Sequence, residues 1–212
     1  ILFPKRAHWA DFLRRAGLAQ DNLFGQAAVQ GLSVNYFERR HVLDERLPEA
    51  GWPPVTAGRW AGQRFWDEQL RGIARSYLTF PMISRLAELL IRVNASVRNA
   101  LALTYPHVFM DEFQDTTQAQ FDLVQAIFLG TPTIMTAVGD NKQQIMRWAM
   151  AMDDPFTAFD ADFGGTRTPL YNNYRSSPEL VRIQHVLAQA LDAHAVVPVS
   201  KTVGTIAGDS CA

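Results

Sequence analysis

The residue types able to do chemistry concentrate in one stretch, His107-Val108-Phe109-Met110-Asp111-Glu112-Phe113-Gln114-Asp115-Thr116-Thr117-Gln118-Ala119-Gln120. A short apolar run, Val108 to Met110, ends in two adjacent carboxylates, Asp111 and Glu112. One carboxylate can hold a hard divalent cation while its neighbour orients a water. The Thr116-Thr117 pair then opens a stretch of helical period, with Phe121, Val124, Ala126, Ile127 and Phe128 mostly on one face. The order reads as buried strand, acidic turn, helix. In an open parallel α/β sheet the ligand crevice lies beyond the carboxyl ends of the strands, which is where these acids fall. The pair also fits a solvated turn that is simply acidic, because short motifs are weak signals.

A second apolar run, Thr133 to Val138, ends in Gly139-Asp140, followed by Asn141-Lys142-Gln143-Gln144 and Ile145-Met146-Arg147-Trp148. Glycine permits a tight exit from a strand, and Asp140 adds a third carboxylate at the same kind of edge. A third cluster, Asn172-Asn173-Tyr174-Arg175-Ser176-Ser177-Pro178-Glu179, sets a Tyr-Arg pair before a helix start. Three polar clusters at the edges of apolar elements, in this order, are hard to obtain by chance.

The elements that must position them follow from pattern. Tyr105 to Asp140 reads as strand, helix, strand, one βαβ unit of a parallel sheet. Upstream the chain is mainly helical. His8 to Ala16 suits a helix stopped by Gly17. Gly51-Trp52-Pro53-Pro54 is a turn or linker. Thr56 caps a helix from Ala57 to about Arg75, whose Trp60, Phe65 and Trp66 beside Arg59, Arg64 and Arg71 fit either core or a base-stacking strip. Arg14, Arg15, Arg39, Arg40 and His41 either touch phosphate or form a solvated face interleaved with Asp44, Glu45 and Glu49. Thr79-Phe80-Pro81 starts a helix to about Asn94, and Ser96 caps a further short one. Downstream, Asp153 to Phe163 is helical, Gly164-Gly165 a turn and Thr168 to Tyr171 a strand. Ser177-Pro178-Glu179 begins a helix to about Ala193 with Val181, His185, Leu187, Ala188 and Leu191 mostly inward. His185 there reads as a packing residue. From Val196 the chain is turn-rich, and Gly204 to Ala212 is frayed.

With 212 residues and 48% apolar content the chain can bury a sizeable core. A net charge of −1 spreads no global basic field that would advertise nucleic acid. The single cysteine, Cys211, excludes a disulfide framework and fits a reducing cytoplasm. No apolar run approaches the roughly 20 residues that span a bilayer. The first residues, Ile1 to Arg6, carry neither a starting Met nor a signal-peptide layout, as in an excised piece of a longer protein. The three lysines are Lys5, Lys142 and Lys201, and none lies in a Gly-x-x-x-x-Gly-Lys-Ser/Thr phosphate loop.

Asp111-Glu112-Phe113-Gln114-Asp115-Thr116 resembles motif II, the Walker B box, of UvrD/Rep-type superfamily 1 DNA helicases over all six residues. Val138-Gly139-Asp140-Asn141-Lys142-Gln143 resembles their motif III, and Asn173-Tyr174-Arg175-Ser176 their motif IV. Order and spacing also agree, and together the motifs cover roughly Tyr105 to Leu191. Motifs I, Ia, V and VI are absent. Thr79-Phe80 resembles the family's element before motif II, but its Asp is missing and no role is carried over.

The resemblance implies a partial RecA-like parallel sheet with a mainly helical N-terminal subdomain. Residues 1–104 would be a helical insert of the first lobe, 105–166 the C-terminal half of the first RecA-like domain, and 167–212 the start of the second. It implies ATP and Mg²⁺ as cofactors, and single-stranded DNA, duplex junctions and the missing remainder of the helicase as partners, with no membrane. By the same resemblance Asp111 holds Mg²⁺ and Glu112 takes the proton of the attacking water. Gln143 contacts the γ-phosphate, Arg175 reaches it as an arginine finger, and Tyr174 stacks on adenine. Trp148 stacks on a DNA base, while Gln114, Asp115 and Asp140 couple the motifs. Read from the residues alone, Trp148 and Tyr174 also fit core aromatics and Arg175 a surface ion pair.

After Gln143 the family has Ser-Ile-Tyr, then an aromatic and Arg-Gly-Ala. This chain has Gln144-Ile145-Met146-Arg147-Trp148-Ala149-Met150-Ala151. One stacking and one basic position are thereby lost, which touches DNA grip rather than ATP chemistry. The implied function is that of a fragment of a 3′-to-5′ DNA helicase, itself inactive without the phosphate loop. The alternatives are an ATP-gated DNA-binding or regulatory subunit of a repair or defence complex that does not unwind, and a plain interaction domain.

Overall fold

Helix α1 (Arg6–Gly17) spaces Trp9, Phe12, Leu13 and Ala16 at i, i+3, i+4, i+7, and that face is buried. The computed structural model describes residues 6–50, 55–72, 78–193 and 195–202. The turn expected at Gly51–Pro54, the helix end near Arg75, Lys5 and the tail from Gly204 with Cys211 lie outside them. Two short helices, α2 (Gln26–Gln30) and α3 (Val34–Phe37), lead into a π-helical stretch, Glu38–Asp44. The latter packs on α4 (Ala57–Arg71), whose N-cap Thr56 accepts the Arg59 N–H at 3.2 Å. Val29, Phe37, Val42, Trp60, Phe65 and Trp66 close this core, with Trp9 stacked on Phe65 at 4.4 Å between centroids. The aromatics of α4 are therefore core, not an open stacking strip. Upstream cations meet acids: Arg15 pairs with Asp11 and Glu68, and His41 with Glu45.

Helix α5 (Phe80–Arg92), capped by Thr79 with Pro81 in its first turn, joins this helical part to the rest. It buries Met82, Arg85 and Glu88. Arg85 donates to the carbonyls of Leu43 and Asp44 and to the Asp122 carboxylate. Asp122 also accepts from Arg46 at 3.0 Å and Gln118 at 2.9 Å, and Glu88 accepts from Arg92 at 2.8 Å. Helix α6 (Ala95–Thr104) is capped by Asn94, whose Oδ1 accepts the Val97 N–H at 3.2 Å, rather than by Ser96. Asn94 is the better placed because its side chain reaches the N3 amide while its own backbone is still non-helical.

Strands β1 (His107–Met110) and β2 (Ile134–Ala137) are parallel, with His107 opposite Ile134 and Met110 opposite Ala137. Between them runs α7 (Gln118–Phe128), started by a capping box in which Thr117 and Gln120 answer one another. Helix α7 packs on α5 and α6. Met110, Met135 and Ala137 face a second core of Phe113, Phe121 and Phe159, closed by α8 (Pro155–Phe163). The opposite face, with His107, Phe109 and Ile134, is exposed. The fully buried strand expected at Val108–Met110 is thus buried on one face only. The reason is that two strands with helices on a single side cover a single side, whereas a parallel sheet is normally covered on both.

A second parallel pair joins β3 (Asn172–Asn173) to β4 (Val199–Ser200), flanking α9 (Pro178–Leu191), which Ser177 caps. The strand expected at Thr168–Tyr171 lies instead at Asn172–Asn173, because pairing begins at the Tyr171 carbonyl, which accepts the Val199 N–H at 2.7 Å. Pro169 upstream has no N–H to give. The segment after Val196 accordingly contains a strand. On α9, Val181 is buried, but Leu187 and Leu191, expected to point inward, are exposed. The only described element packed closely on α9 is β4. The whole is a helix-dominated α/β fold with two small parallel sheets. Among the described residues no helix is long and apolar enough to cross a membrane.

Candidate functional site

The parallel register brings the carboxyl ends of β1 and β2 to the same edge, so the residues that follow them meet. The ladder continues past the strands: Val138 N–H donates to Met110 O at 2.8 Å, and Phe113 N–H donates to Val138 O at 2.9 Å. Asp111, Glu112, Gly139 and Asp140 therefore sit side by side at the β1–β2 tips. Glu112 holds a left-handed backbone, φ 50° and ψ 39°. For a non-glycine residue this costs roughly 1–3 kcal/mol and persists only where surroundings impose it. Here its N–H donates to Asp111 Oδ1 at 2.9 Å, and its Oε2 accepts from Gln114 Nε2 at 2.6 Å.

Gln114 joins the two tips. It is 1% exposed, and its Oε1 accepts the Asp140 N–H at 3.0 Å while its Nε2 holds Glu112. A buried amide bonded at both its oxygen and its nitrogen is costly to disturb, since any orphaned group pays its full desolvation. Gly139 makes room for it: a Cβ there would lie 2.2 Å from Gln114 Oε1 and 3.0 Å from Phe113 N. Gly139→Ala is therefore expected to lower stability by about 1–3 kcal/mol. The urea midpoint checks this, and a variant as stable as wild type would mean that Gln114 has another resting place.

Asp140 caps the turn that follows. Its Oδ1 accepts the Lys142 N–H at 3.0 Å and its Oδ2 accepts Gln143 Nε2 at 3.1 Å. Lys142 Nζ lies 3.3 Å from Asp192 Oδ2, an ion pair between this turn and the end of α9. Asp115 Oδ1 accepts the Met146 N–H at 3.3 Å. Beside this turn, Thr157 donates through its hydroxyl and its backbone to Asp154, holding that carboxyl below its ordinary value.

Asp111, Glu112, Gln114, Asp115, Asp140 and Gln143 thus form one cluster. The other candidates stand outside it. Trp148 is 82% exposed and Tyr174 72%, so neither is a core aromatic. Arg175 is exposed and, among the described residues, pairs with no carboxylate; its N–H and that of Ser176 donate to Asn173 Oδ1 at 2.9 Å. The sequence points to Glu112 but not to its left-handed backbone, and it assigns no role to Gln144, half-buried with the carbonyls of Gln114 and Met152 as acceptors. The doubled glutamine after Lys142 was the one hint of the latter.

Asp111 presents an exposed carboxylate with one oxygen engaged by the Glu112 N–H. Among the described residues no group of three or more His, Cys, Asp or Glu can hold a metal by itself. Such a donor set fits Mg²⁺, which keeps waters and phosphate oxygens and takes one or two protein carboxylates.

The UvrD/REP helicase N-terminal domain family matches residues 69–164, a span that holds both tips and reaches back into α4. The chain is 30% identical over 123 residues to ATP-dependent DNA helicase Rep of Escherichia coli K12, covering 58% of this chain and 18% of that protein. It is 32% identical over 97 residues to a probable DNA helicase II homolog of Mycoplasma capricolum, covering 45% and 13%. Against RecBCD enzyme subunit RecB of Mycolicibacterium smegmatis it is 30% identical over 151 residues, covering 70% and 14%. The chain spans less than a fifth of the length of each of these relatives. Residues 69–164, with the acidic tip of β1 and the amide-bearing turn after β2, belong to the UvrD/REP helicase N-terminal domain family.

Proposed function

We propose that this chain is part of an ATP-dependent DNA helicase that moves 3′-to-5′ on single-stranded DNA and separates duplex strands in the cytoplasm. Residues 105–166 are the C-terminal half of one RecA-like domain, 167–212 the start of a second, and 1–104 a helical insert. The observation that carries the reading is the buried Gln114 amide, which ties the Glu112 carboxylate to the Asp140 backbone. Phosphoryl transfer asks a protein mainly for positioning and charge neutralisation, and a rigid pair of tips supplies the positioning.

Bound Mg²⁺-ATP supplies a γ-phosphoryl group whose charge the cation offsets. Asp111 would hold that cation. Glu112 orients the attacking water and accepts its proton on the carboxylate. The Gln143 amide contacts the γ-phosphate and, through Asp140, reports its presence to the turn. Asp115 and Gln114 pass that change to the segment bearing Trp148. Trp148 stacks on a base of single-stranded DNA, worth about 1–3 kcal/mol. Tyr174 stacks on adenine, and Arg175 neutralises charge on the transferring group from the second lobe. The exposure of all three residues suits partners that come from outside this chain.

The 212-residue chain alone, which holds no phosphate loop, is inactive. The test is ATP hydrolysis by the natural full-length protein with and without single-stranded DNA, followed by strand displacement on a duplex with a 3′ tail. Stimulated hydrolysis with displacement supports a helicase. A second reading, an ATP-gated DNA-binding subunit that does not unwind, is favoured by Met146, Ala149 and Met150 replacing the stacking and basic positions. Hydrolysis without displacement would select it, and no hydrolysis would reject both.

A further inference from the structure

The Gln144 side chain touches the acidic tip through its nitrogen and the Trp148 segment through both its nitrogen and its oxygen. Its Nε2 donates one hydrogen to Gln114 O and one to Met152 O, each at 2.7 Å. Its Oε1 accepts from Arg147 Nε at 2.8 Å. All polar capacity of the amide nitrogen is used, and on a half-buried side chain that geometry is specific. The acceptors lie on separate pieces of chain. Gln114 O belongs to the turn after β1, whose side-chain amide grips Glu112 and Asp140. Met152 follows the Thr117–Ala151 bridge, and its N–H donates to Thr116 O at 2.9 Å.

Residues 144–152 consequently form a closed loop with both feet on the acidic turn. Met146 N–H is held by Asp115 Oδ1 and Ala151 N–H by Met146 O at 3.2 Å. Met150 takes a left-handed backbone, φ 73°, to turn the loop back. At its apex stand Arg147 and Trp148, both exposed. A displacement of Gln114, whichever way it arises at Glu112 or Asp140, must move Gln144 or break the Gln144 Nε2–Gln114 O hydrogen bond. Moving Gln144 moves the Arg147 guanidinium and both feet of the loop together.

We infer that Gln144 is a positioning residue that transmits the state of the Glu112–Gln114–Asp140 cluster to the Arg147–Trp148 apex. The inference rests on the proposed ATP-driven function and adds a residue to it. Glu has no hydrogen to donate, Ser has one, and Asn is a methylene short of spanning the same acceptors.

The experiment uses the natural full-length protein and measures ATP hydrolysis with and without single-stranded DNA. Gln144→Ala and Gln144→Glu are expected to keep the DNA-independent rate within about twofold while the stimulation by DNA falls on the order of tenfold, the scale of losing one or two hydrogen bonds. Gln144→Ala combined with Trp148→Ala is expected to lose no more stimulation than Trp148→Ala alone, because coupled residues are non-additive. Hydrogen exchange of α7 and α8 amides, unchanged from wild type, verifies that the variants are folded. Equal losses of stimulated and unstimulated rates, or additive losses in the double variant, would overturn the role of Gln144 while leaving the enzyme reading intact. A wild-type protein that hydrolyses no ATP, or is indifferent to DNA, would overturn the enzyme reading itself and the inference with it.

Discussion

Replacing Glu112 with Gln is expected to reduce DNA-stimulated ATP hydrolysis by the full-length protein by about 100- to 10,000-fold, the usual yield of a positioned general base. The substitution removes the proton acceptor and little else. A glutamine oxygen can still accept from Gln114 Nε2, which now lies 2.6 Å from the Glu112 carboxylate. The Glu112 N–H bond to Asp111 Oδ1, one of the contacts at this left-handed residue, does not involve the replaced group. Stability should therefore stay within about 0.5 kcal/mol of wild type, as for a change that leaves burial and hydrogen bonding in place. ATP binding, read by a fluorescent analogue, should persist. A variant that hydrolyses at more than a tenth of the wild-type rate would remove Glu112 from the chemistry. Lost activity accompanied by lost folding would indicate a structural carboxylate instead.

The second large effect is expected far from the tips. Arg85 is fully buried on α5 and donates to Leu43 O, Asp44 O and Asp122. Arg85→Met keeps the length of the side chain but strands two carbonyls and the Asp122 Oδ2, leaving that carboxylate only the Arg46 and Gln118 bonds to Oδ1, so a loss of about 3–5 kcal/mol is expected in urea unfolding. Adding Asp122→Leu should return part of that loss, because an absent charge costs less than an orphaned one. Acid titration offers an independent check. Burial acts to raise the Asp122 carboxyl, but hydrogen bonds from Arg46, Arg85 and Gln118 outweigh it and hold the group below its ordinary value. The contribution of a carboxylate with a depressed folded value is fully present above its unfolded value, about pH 4. It is lost as pH falls through the folded value. Arg85→Met should weaken this acid dependence. If Arg85→Met matched wild type in urea, the network would not be what joins the helical half to α7.

The longer α helices were legible in the sequence because caps and periodicity are local, whereas the short α2 and α3 were not placed. Thr56 stands as the N-cap expected of it, and Thr79, Thr117 and Ser177 cap helices that were expected to open there, whereas the cap expected at Ser96 is Asn94. The β1–α7–β2 unit was legible too, since two apolar runs ending in polar turns leave few topologies. Burial was not. An apolar run such as Val108–Met110 reports that some face is covered, not how many, and Phe109 is exposed. The inward face assigned to α9 failed for the same reason, because periodicity gives a stripe but not what lies against it. Arg85 was invisible for the opposite reason: it sits among Ile83, Leu86 and Ala87, and its acceptors are remote in the chain. At the candidate site the acids and their order were legible. The Gln114 bridge as drawn and the clamp by Gln144 depend on where two loops come together, which spacing does not encode.

In the proposed function the acids after β1 and the turn after β2 serve the same phosphates. The most direct measurement is a crystal structure of the full-length protein with Mg²⁺ and a non-hydrolysable ATP analogue. The expected result is the cation on Asp111 or one water away from it, the γ-phosphate within hydrogen-bond reach of Gln143 Nε2, and a water held by Glu112 in line with that phosphate. A nucleotide bound elsewhere, or a γ-phosphate touched by only one of the two tips, would contradict it.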